Sequence, residues 1–295
     1  MNEPAYALVR LASGVQSVRC ADCGETMHPV AGPAAEAEAL YVRQLRLSER
    51  FCEAREEFVI WDVGLGAGAN SLAAIQALRD VAGRVIVVSF DHTLEALRFA
   101  VEHAGELDYF GELRAIATRV AGGESDLGFK MGKAEVRWRI GLGDFPGLLA
   151  TAKGSSGRHT AAGTSWSPSP HVVLFDPFSP ARNPEMWTLA LFRDLFCRLD
   201  PARPCALATY SRTTFVRVSL LLAGFFVGVG EPVAGKEETT IAANDRSLVA
   251  KPLDRGWLEK ARRSHSAEPL TEPVYRQAPL SPESWSKLQG HPQFH

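Results

Sequence analysis

Four aspartates in this chain stand where an apolar run ends, and each has neighbours that suit it to ligand chemistry. Asp62 opens Asp62-Val63-Gly64-Leu65-Gly66-Ala67-Gly68-Ala69-Asn70, with glycines at alternate positions. Glycines let the backbone take φ > 0 and let a ligand come close to the main chain. The spacing G-x-G-x-G departs from the G-x-G-x-x-G of dinucleotide sites. An acid just before the first glycine repels a pyrophosphate and suits a cationic amino-acid moiety. Asp91 closes the next apolar run, where an acid commonly bonds ribose hydroxyls. Asp144 follows Gly141-Leu142-Gly143, and Asp176 leads straight into Pro177-Phe178-Ser179-Pro180. Two prolines would hold that last acid beyond the carboxyl end of a strand, where open α/β sheets bind their ligands.

Bringing these acids together requires an α/β fold with a central, mostly parallel sheet. The apolar runs at 58–61, 84–90, 136–140, 171–176 and 205–211 read as its strands. Amphipathic segments at 72–78, 94–103, 185–198 and 213–223 read as the helices between them. Asn70 and Ser71 suit the start of the first of these helices, and Gly224 the end of the last. Phe225–Val229 and Glu238–Ala243 read as a final hairpin with Lys236 and Glu238 at or near its tip. Before the sheet, 6–11 and 15–19 read as a β-hairpin and 36–49 as a helix. The glycine-rich segment 121–133 and the polar segment 153–170 read as loops. Past Pro252 a peripheral helix and a loosely ordered tail are expected. The division that follows is 1–50 for an N-terminal extension, 51–252 for the main domain and 253–295 for the tail.

With 46% hydrophobic and 22% charged residues, the composition is that of an ordinary globular protein. No apolar run approaches the ~20 residues of a membrane helix, and residues 1–4 lack the start of a signal peptide, so a cytoplasmic location is expected. The net charge of −2 announces no general attraction for nucleic acid but allows a local patch. Arg43, Arg46, Arg212, Arg217 and the basic cluster 255–263 are the candidates for one. Five cysteines do not suggest a disulfide framework. Cys20 and Cys23 form one C-x-x-C, with His28 as a possible third ligand and no fourth nearby. A structural zinc site takes four, so no metal is expected.

The Asp62–Asn70 stretch resembles the first motif of S-adenosylmethionine-dependent methyltransferases, whose cofactor carries an ammonium and a sulfonium. Asp176-Pro177-Phe178 is similar to the Asp-Pro-Pro-Tyr motif of methyltransferases acting on exocyclic or amide nitrogen. Residues 176–187 as a run, together with Gly24-Glu25-Thr26-Met27-His28, Glu38–Val42 and Lys236–Thr240, resemble one family: the tRNA 5-aminomethyl-2-thiouridine methyltransferases of the MnmC/MnmD type. The resemblance covers roughly residues 5 to 250. It implies a Rossmann-like class I methyltransferase fold with a seven-stranded sheet and a small N-terminal hairpin and helix extension. It also implies S-adenosyl-L-methionine as cofactor and N-methylation of the aminomethyl group on a tRNA wobble uridine, in the anticodon stem-loop.

On that resemblance, Asp62, Gly64, Gly66, Gly68 and Asn70 would hold the methionine part, Asp91 the ribose and Asp144 the adenine. Asp176 would orient the amine at the cofactor and accept or relay its proton, with Tyr210 shaping the pocket. Phe178, Lys236 and Glu238 would contact the substrate. No second dinucleotide fingerprint follows, so the chain looks like the kind without a fused oxidase. It departs from the family pattern at Ala67 and Ala69, where Thr and Leu are common, and in its two long polar segments. Two other readings stand beside this one: the same fold methylating a small-molecule or protein amine, and a non-catalytic relative that binds cofactor or tRNA.

Overall fold

The computed structural model describes residues 5–54, 57–151, 168–233, 235 and 237–295. A three-stranded antiparallel sheet comes first, built of β1 (Tyr6–Arg10), β2 (Gln16–Cys20) and β3 (Glu25–Thr26). Its first pair is the expected hairpin; β3 is an addition, folded back through a turn in which Cys23 N–H donates to Cys20 Sγ at 3.2 Å. Both thiols are free, and among the described residues no cluster of three or more His, Cys, Asp or Glu is placed to hold a metal.

The helix expected over 36–49 is interrupted. α1 (Pro33–Ala37) runs into a π-helical turn, Glu38–Arg43, and α2 (Leu47–Glu53) follows after Arg46, whose φ of 52° breaks the run. Such turns hold an extra residue and occur often at functional sites. This one buries Tyr41, with its hydroxyl 3.3 Å from the carbonyl of Phe175.

The large sheet then forms in chain order. β4 (Glu57–Val63), α3 (Ala69–Ala77), β5 (Gly83–Asp91), α4 (Glu95–Glu102), α5 (Ala104–Leu107) and α6 (Arg114–Ala121) make its first half. β6 (Asp126–Met131), β7 (Ala134–Leu142), α7 (Phe145–Thr151), β8 (Val172–Phe175), α8 (Leu189–Phe196), β9 (Ala206–Thr209), α9 (Thr214–Ala223), β10 (Phe226–Gly230) and β11 (Thr239–Ala243) complete it. The strand order is β10-β11-β9-β8-β4-β5-β7-β6. The five strands β7, β5, β4, β8 and β9 run parallel, with β11 antiparallel to β9.

Each parallel strand carries apolar side chains on both faces, as sheets covered by helices on both sides do. In β4, Phe58 and Ile60 pack toward α3, α4 and α6, while Val59, Trp61 and Val63 pack toward α8 and α9. The carboxyl ends of β4, β5, β7 and β8 therefore point the same way, which places their terminal aspartates along one edge.

Two expectations need correction. The segment 121–133 is not simply a loop, because β6 lies within it and adds an eighth strand by pairing with β7. Leu127 and Met131 are buried there while Asp126, Gly128 and Lys130 are exposed, an alternation that the glycines obscured. Segment 153–170 falls outside the described residues except for 168–170. The tail is not loose either. α10 (Arg255–Arg262) and α11 (Pro282–Gln289) pack Leu258, Ala261 and Leu288 into the core on the α8 and α9 side. The Gln293 amide then bonds Val227 N, Val227 O and Leu253 O. Among the described residues no helix is long and apolar enough to cross a membrane.

Candidate active site

A cavity of about 590 Å³ opens at the carboxyl ends of the strands, within the range of small-molecule sites. Gly64, Gly66, Asn70, Asp91, Asp144, Asp176, Phe178 and Tyr210 all line it, so most of the residues singled out in the sequence converge. A larger cleft, about 780 Å³, lies at the opposite ends of β4 and β9 and contains none of them. Ligands of open α/β sheets bind at the carboxyl ends, and the smaller cavity is the functional candidate.

The glycine turn is built from the backbone outward. Gly64 and Leu65 N–H both reach Phe90 O, at 3.0 and 3.1 Å, and Gly66 N–H donates to Asp91 Oδ2 at 2.9 Å. Asp91 thus fixes the turn and still faces the cavity. A Cβ on Gly64, whose φ is 94°, would come within 2.7 Å of Asp176 O. The cofactor-type turn and the Asp-Pro turn are therefore in main-chain contact, and only glycine fits between them. Gly68 does not line the cavity; it starts α3 at φ 84° and packs on Leu97. Asp144 accepts Gly147 N–H at 3.0 Å at the start of α7 while its residue stays exposed.

Three side chains hold the Asp176 carboxylate. Asn70 Nδ2 donates to its Oδ2 at 2.7 Å, and His28 Nε2 lies 3.3 Å from the same oxygen and 3.1 Å from Asn70 Oδ1. The Tyr41 hydroxyl faces it too. Burial pushes the Asp176 carboxyl upward, but the bonds from His28, Asn70 and Tyr41 outweigh it and hold the group below the usual carboxylate range. Tyr210 donates to Pro177 O at 3.1 Å, and burial next to Asp176 and Glu25 keeps its phenol far above the ordinary value. Glu25 clamps the turn from the N-terminal sheet: it accepts Ser179 N–H at 3.0 Å and the Ser179 hydroxyl. Trp187 Nε1 donates to Phe178 O at 2.8 Å from the other side.

Three site expectations fare differently. Asp62 does not reach the cavity. It is fully buried behind the glycine turn, on the α3 side of β4, where Oδ2 accepts the Ser71 and Ser89 hydroxyls and Oδ1 has no protein partner. Burial pushes its pKa up to about 7. Its side chain instead ties β4 to α3 and β5 through those serines, because an even-numbered position on this strand points under α3. Glu238 is also absent from the cavity wall; it pairs with Arg217 at 3.2 Å, whose guanidinium is 97% buried and needs a counter-charge. That burial removes Arg217 from any docking surface, whereas Arg43, Arg46 and Arg212 are exposed. Lys236 lies outside the described residues.

Sequence reasoning missed Glu25, Met27 and His28 as wall residues. His28 entered as a possible zinc ligand and within the family-like stretch 24–28, without a role at the site, and nothing local in the sequence places β3 against a turn some 150 residues away. A glutamate, a methionine and a histidine together just after a glycine were the one available signal.

The glycine turn, with the acids Asp91 and Asp176 beside it on a largely apolar wall, fits S-adenosyl-L-methionine. The comparisons agree. A family model described as S-adenosyl-L-methionine-dependent methyltransferase matches residues 164–245. The tRNA 5-methylaminomethyl-2-thiouridine biosynthesis bifunctional protein MnmC of Aeromonas hydrophila subsp. hydrophila is 35% identical over 205 residues, 64% of this chain and 28% of that protein. Its namesake in Methylibium petroleiphilum is 30% identical over 257 residues, 84% of this chain and 36% of that protein. The chain thus spans roughly a third of the length of the curated relatives it matches. The crystal structure of MNMC2 from Aquifex Aeolicus superposes with a TM-score of 0.68 at 22% identity, covering 97% of this chain and 83% of that one. That likeness shows a shared fold.

Proposed function

This chain belongs to the S-adenosyl-L-methionine-dependent methyltransferases of the MnmC type, and we propose that it methylates the aminomethyl nitrogen of 5-aminomethyl-(2-thio)uridine at the wobble position of tRNA. The contact between Gly64 and the Asp176 carbonyl carries this reading. An amine bonded at the Asp176-Pro177 turn would stand against the glycine cradle, and so beside the cofactor. The relatives' printed name, with its 5-methylaminomethyl-2-thiouridine product, supports the choice of amine.

Bound S-adenosyl-L-methionine supplies a methyl group on a sulfonium, open to in-line attack by a nitrogen lone pair. The chain's own contribution is placement, and near-attack geometry alone can supply ~7–11 kcal/mol. Gly64, Gly66 and Asn70 would hold the methionine part, Asp91 the ribose and Asp144 the adenine, with Asp62 bracing the turn from behind. Asp176, kept ionised, accepts a hydrogen bond from the amine N–H and leaves the lone pair aimed along the cradle. A carboxylate held this firmly orients better than it deprotonates. The nitrogen gains a C–N bond as the C–S bond breaks, and the resulting ammonium sheds its proton to water or by way of Asp176. Tyr210 and Phe178 shape the wall against the base.

The same proposal places the methyltransferase domain at 51–252, with 1–50 and 253–295 as additions, and sets its work in the cytoplasm where tRNA is. The partner surface would be the anticodon stem-loop. The test is methyl transfer from labelled S-adenosyl-L-methionine into bulk tRNA lacking the final wobble methyl, followed by nucleoside analysis. Label in 5-methylaminomethyl-type uridine is expected; unlabelled tRNA from a cofactor-binding preparation overturns the acceptor.

A further inference from the structure

One side chain at the cavity has more structure invested in it than the reaction above uses. His28 follows β3 with a backbone φ of 50°, a left-handed conformation that is costly for a residue with a side chain. Such outliers persist where surrounding contacts over-determine them and gather at functional sites. Here the contacts are plain. Met27 N–H donates to Val18 O at 2.8 Å, the Ser17 hydroxyl bonds Met27 O, and Glu36 accepts Val30 and Ala31 N–H at 2.9 Å each. The chain on both sides of His28 is pinned, and the ring is driven inward until 13% of the side chain remains exposed.

Its Nε2 then faces two acceptors, Asn70 Oδ1 and Asp176 Oδ2. Asn70 can donate only its Nδ2 to Asp176, so its carbonyl needs a donor, and Nε2–H is that donor. Nδ1 is buried, with no partner among the described residues. In either protonation state the proton on Nε2 is the one shared between Asn70 Oδ1 and Asp176 Oδ2. Burial works against the imidazolium; Asp176 works for it and prevails, so the His28 pKa lies above its ordinary value. The other titratable groups facing the pair are Glu36 on α1, Tyr41 on the π turn, Asp62 on β4 and Tyr210 after β9.

We propose that His28 is a positioning residue: its Nε2–H, shared with Asn70, keeps the Asp176 carboxylate ionised and fixed toward the acceptor nitrogen. The role rests on the amine-acceptor reading above and goes beyond it by assigning a function to a residue of the N-terminal extension. It is a donor's role, not a base's. Glutamine can offer an N–H near the Nε2 position without titrating, whereas alanine offers none.

The test uses the full chain in three forms: wild type, His28→Gln and His28→Ala. The Asp176 carboxyl is followed by carbon NMR titration, its resonance assigned by loss in Asp176→Asn. Removing a donor to the ionised form raises a carboxyl pKa, so His28→Ala should shift the midpoint upward by about one pH unit. His28→Gln should stay near wild type. In the tRNA methylation assay His28→Ala should lose about 10²-fold in kcat, with KM and cofactor Kd nearly unchanged, and the acid limb of its pH profile should move to higher pH. His28→Gln should recover most of that loss.

A glutamine variant that matches alanine in both readouts overturns the donor role, as does an alanine variant that titrates like wild type. Should His28→Ala fail to fold, the comparison of His28→Gln with wild type still decides. If wild type leaves tRNA unmethylated, the acceptor reading falls, and the titration tests His28 without it.

Discussion

Asp62 and Asp176 stand at the ends of adjacent parallel strands and point to the same face of the sheet, the first fully buried and the second mostly so, yet their ionisation is driven in opposite directions. Asp62 has two serine hydroxyls on one oxygen and nothing on the other, and burial lifts it to about 7. Asp176 has an amide, an imidazole and a phenol around it, and these hold it below the ordinary range. Burial sets the direction only where donors are too few to offset it. On the proposed reading the difference divides the labour: the acid behind the glycine turn ties strands to helix, and the acid beside it is kept charged for an amine.

The largest effect should come from Asp176→Ala, which removes the amine's acceptor and leaves Asn70 Nδ2 without its own. Turnover should fall about 10³-fold while equilibrium dialysis finds cofactor affinity little changed. Lost cofactor affinity with normal turnover at saturation would erase the contrast between the two acids.

Asp62 should respond to pH rather than to substrate. Its folded pKa lies above the ordinary value of 3.8, so between pH 4 and 7 the folded state keeps a proton that the unfolded chain releases. Its contribution therefore favours folding most below pH 4 and declines as pH rises toward 7, by at most about 4 kcal/mol. Urea unfolding across that range should show the slope in wild type and a flatter one in Asp62→Asn. Equal slopes would mean that Asp62 is ionised like an exposed acid.

Gly64→Ala tests whether the two turns must touch. The new Cβ meets the Asp176 carbonyl at 2.7 Å in a left-handed backbone, and a loss of roughly 2–4 kcal/mol is expected. Thermal unfolding should fall together with cofactor affinity; a neutral outcome would separate the turns. The smallest effect belongs to Glu25→Gln, which weakens the clamp on Ser179 by about 1–2 kcal/mol. Activity should drop less than tenfold, through KM more than kcat if the acceptor turn loosens.

Much of this was legible in the sequence, because strands and their ends are local facts. The apolar runs at 58–61, 84–90 and 171–176 gave the sheet, and glycines beside an acid marked the turn. The convergence of Asp91, Asp144 and Asp176 followed from parallel strands ending on one side. What was hidden depends on distant partners. Asp62 faces serines on α3 and β5, Glu238 is claimed by the buried guanidinium of Arg217, and His28 reaches Asp176 across half of the chain. β6 was masked by glycine and charge, although Leu127 and Met131 alternate correctly for an edge strand. The tail is held by Leu258, Ala261 and Leu288 in the core and by one glutamine amide satisfying three backbone groups, the latter a bond set with no sequence signature.

The acidic wall that suits an aminomethyl group also suits a free amine, and one competition separates them. Wild-type protein would be given labelled S-adenosyl-L-methionine together with intact tRNA lacking the final wobble methyl, its nuclease digest and a panel of small amines. Label is then followed into each. Transfer into the wobble nucleoside of intact tRNA, falling as salt rises as phosphate contacts require, is the predicted result. Equal or faster labelling of the free amines or the digest, with tRNA ignored, would contradict it and move the acceptor to a small molecule.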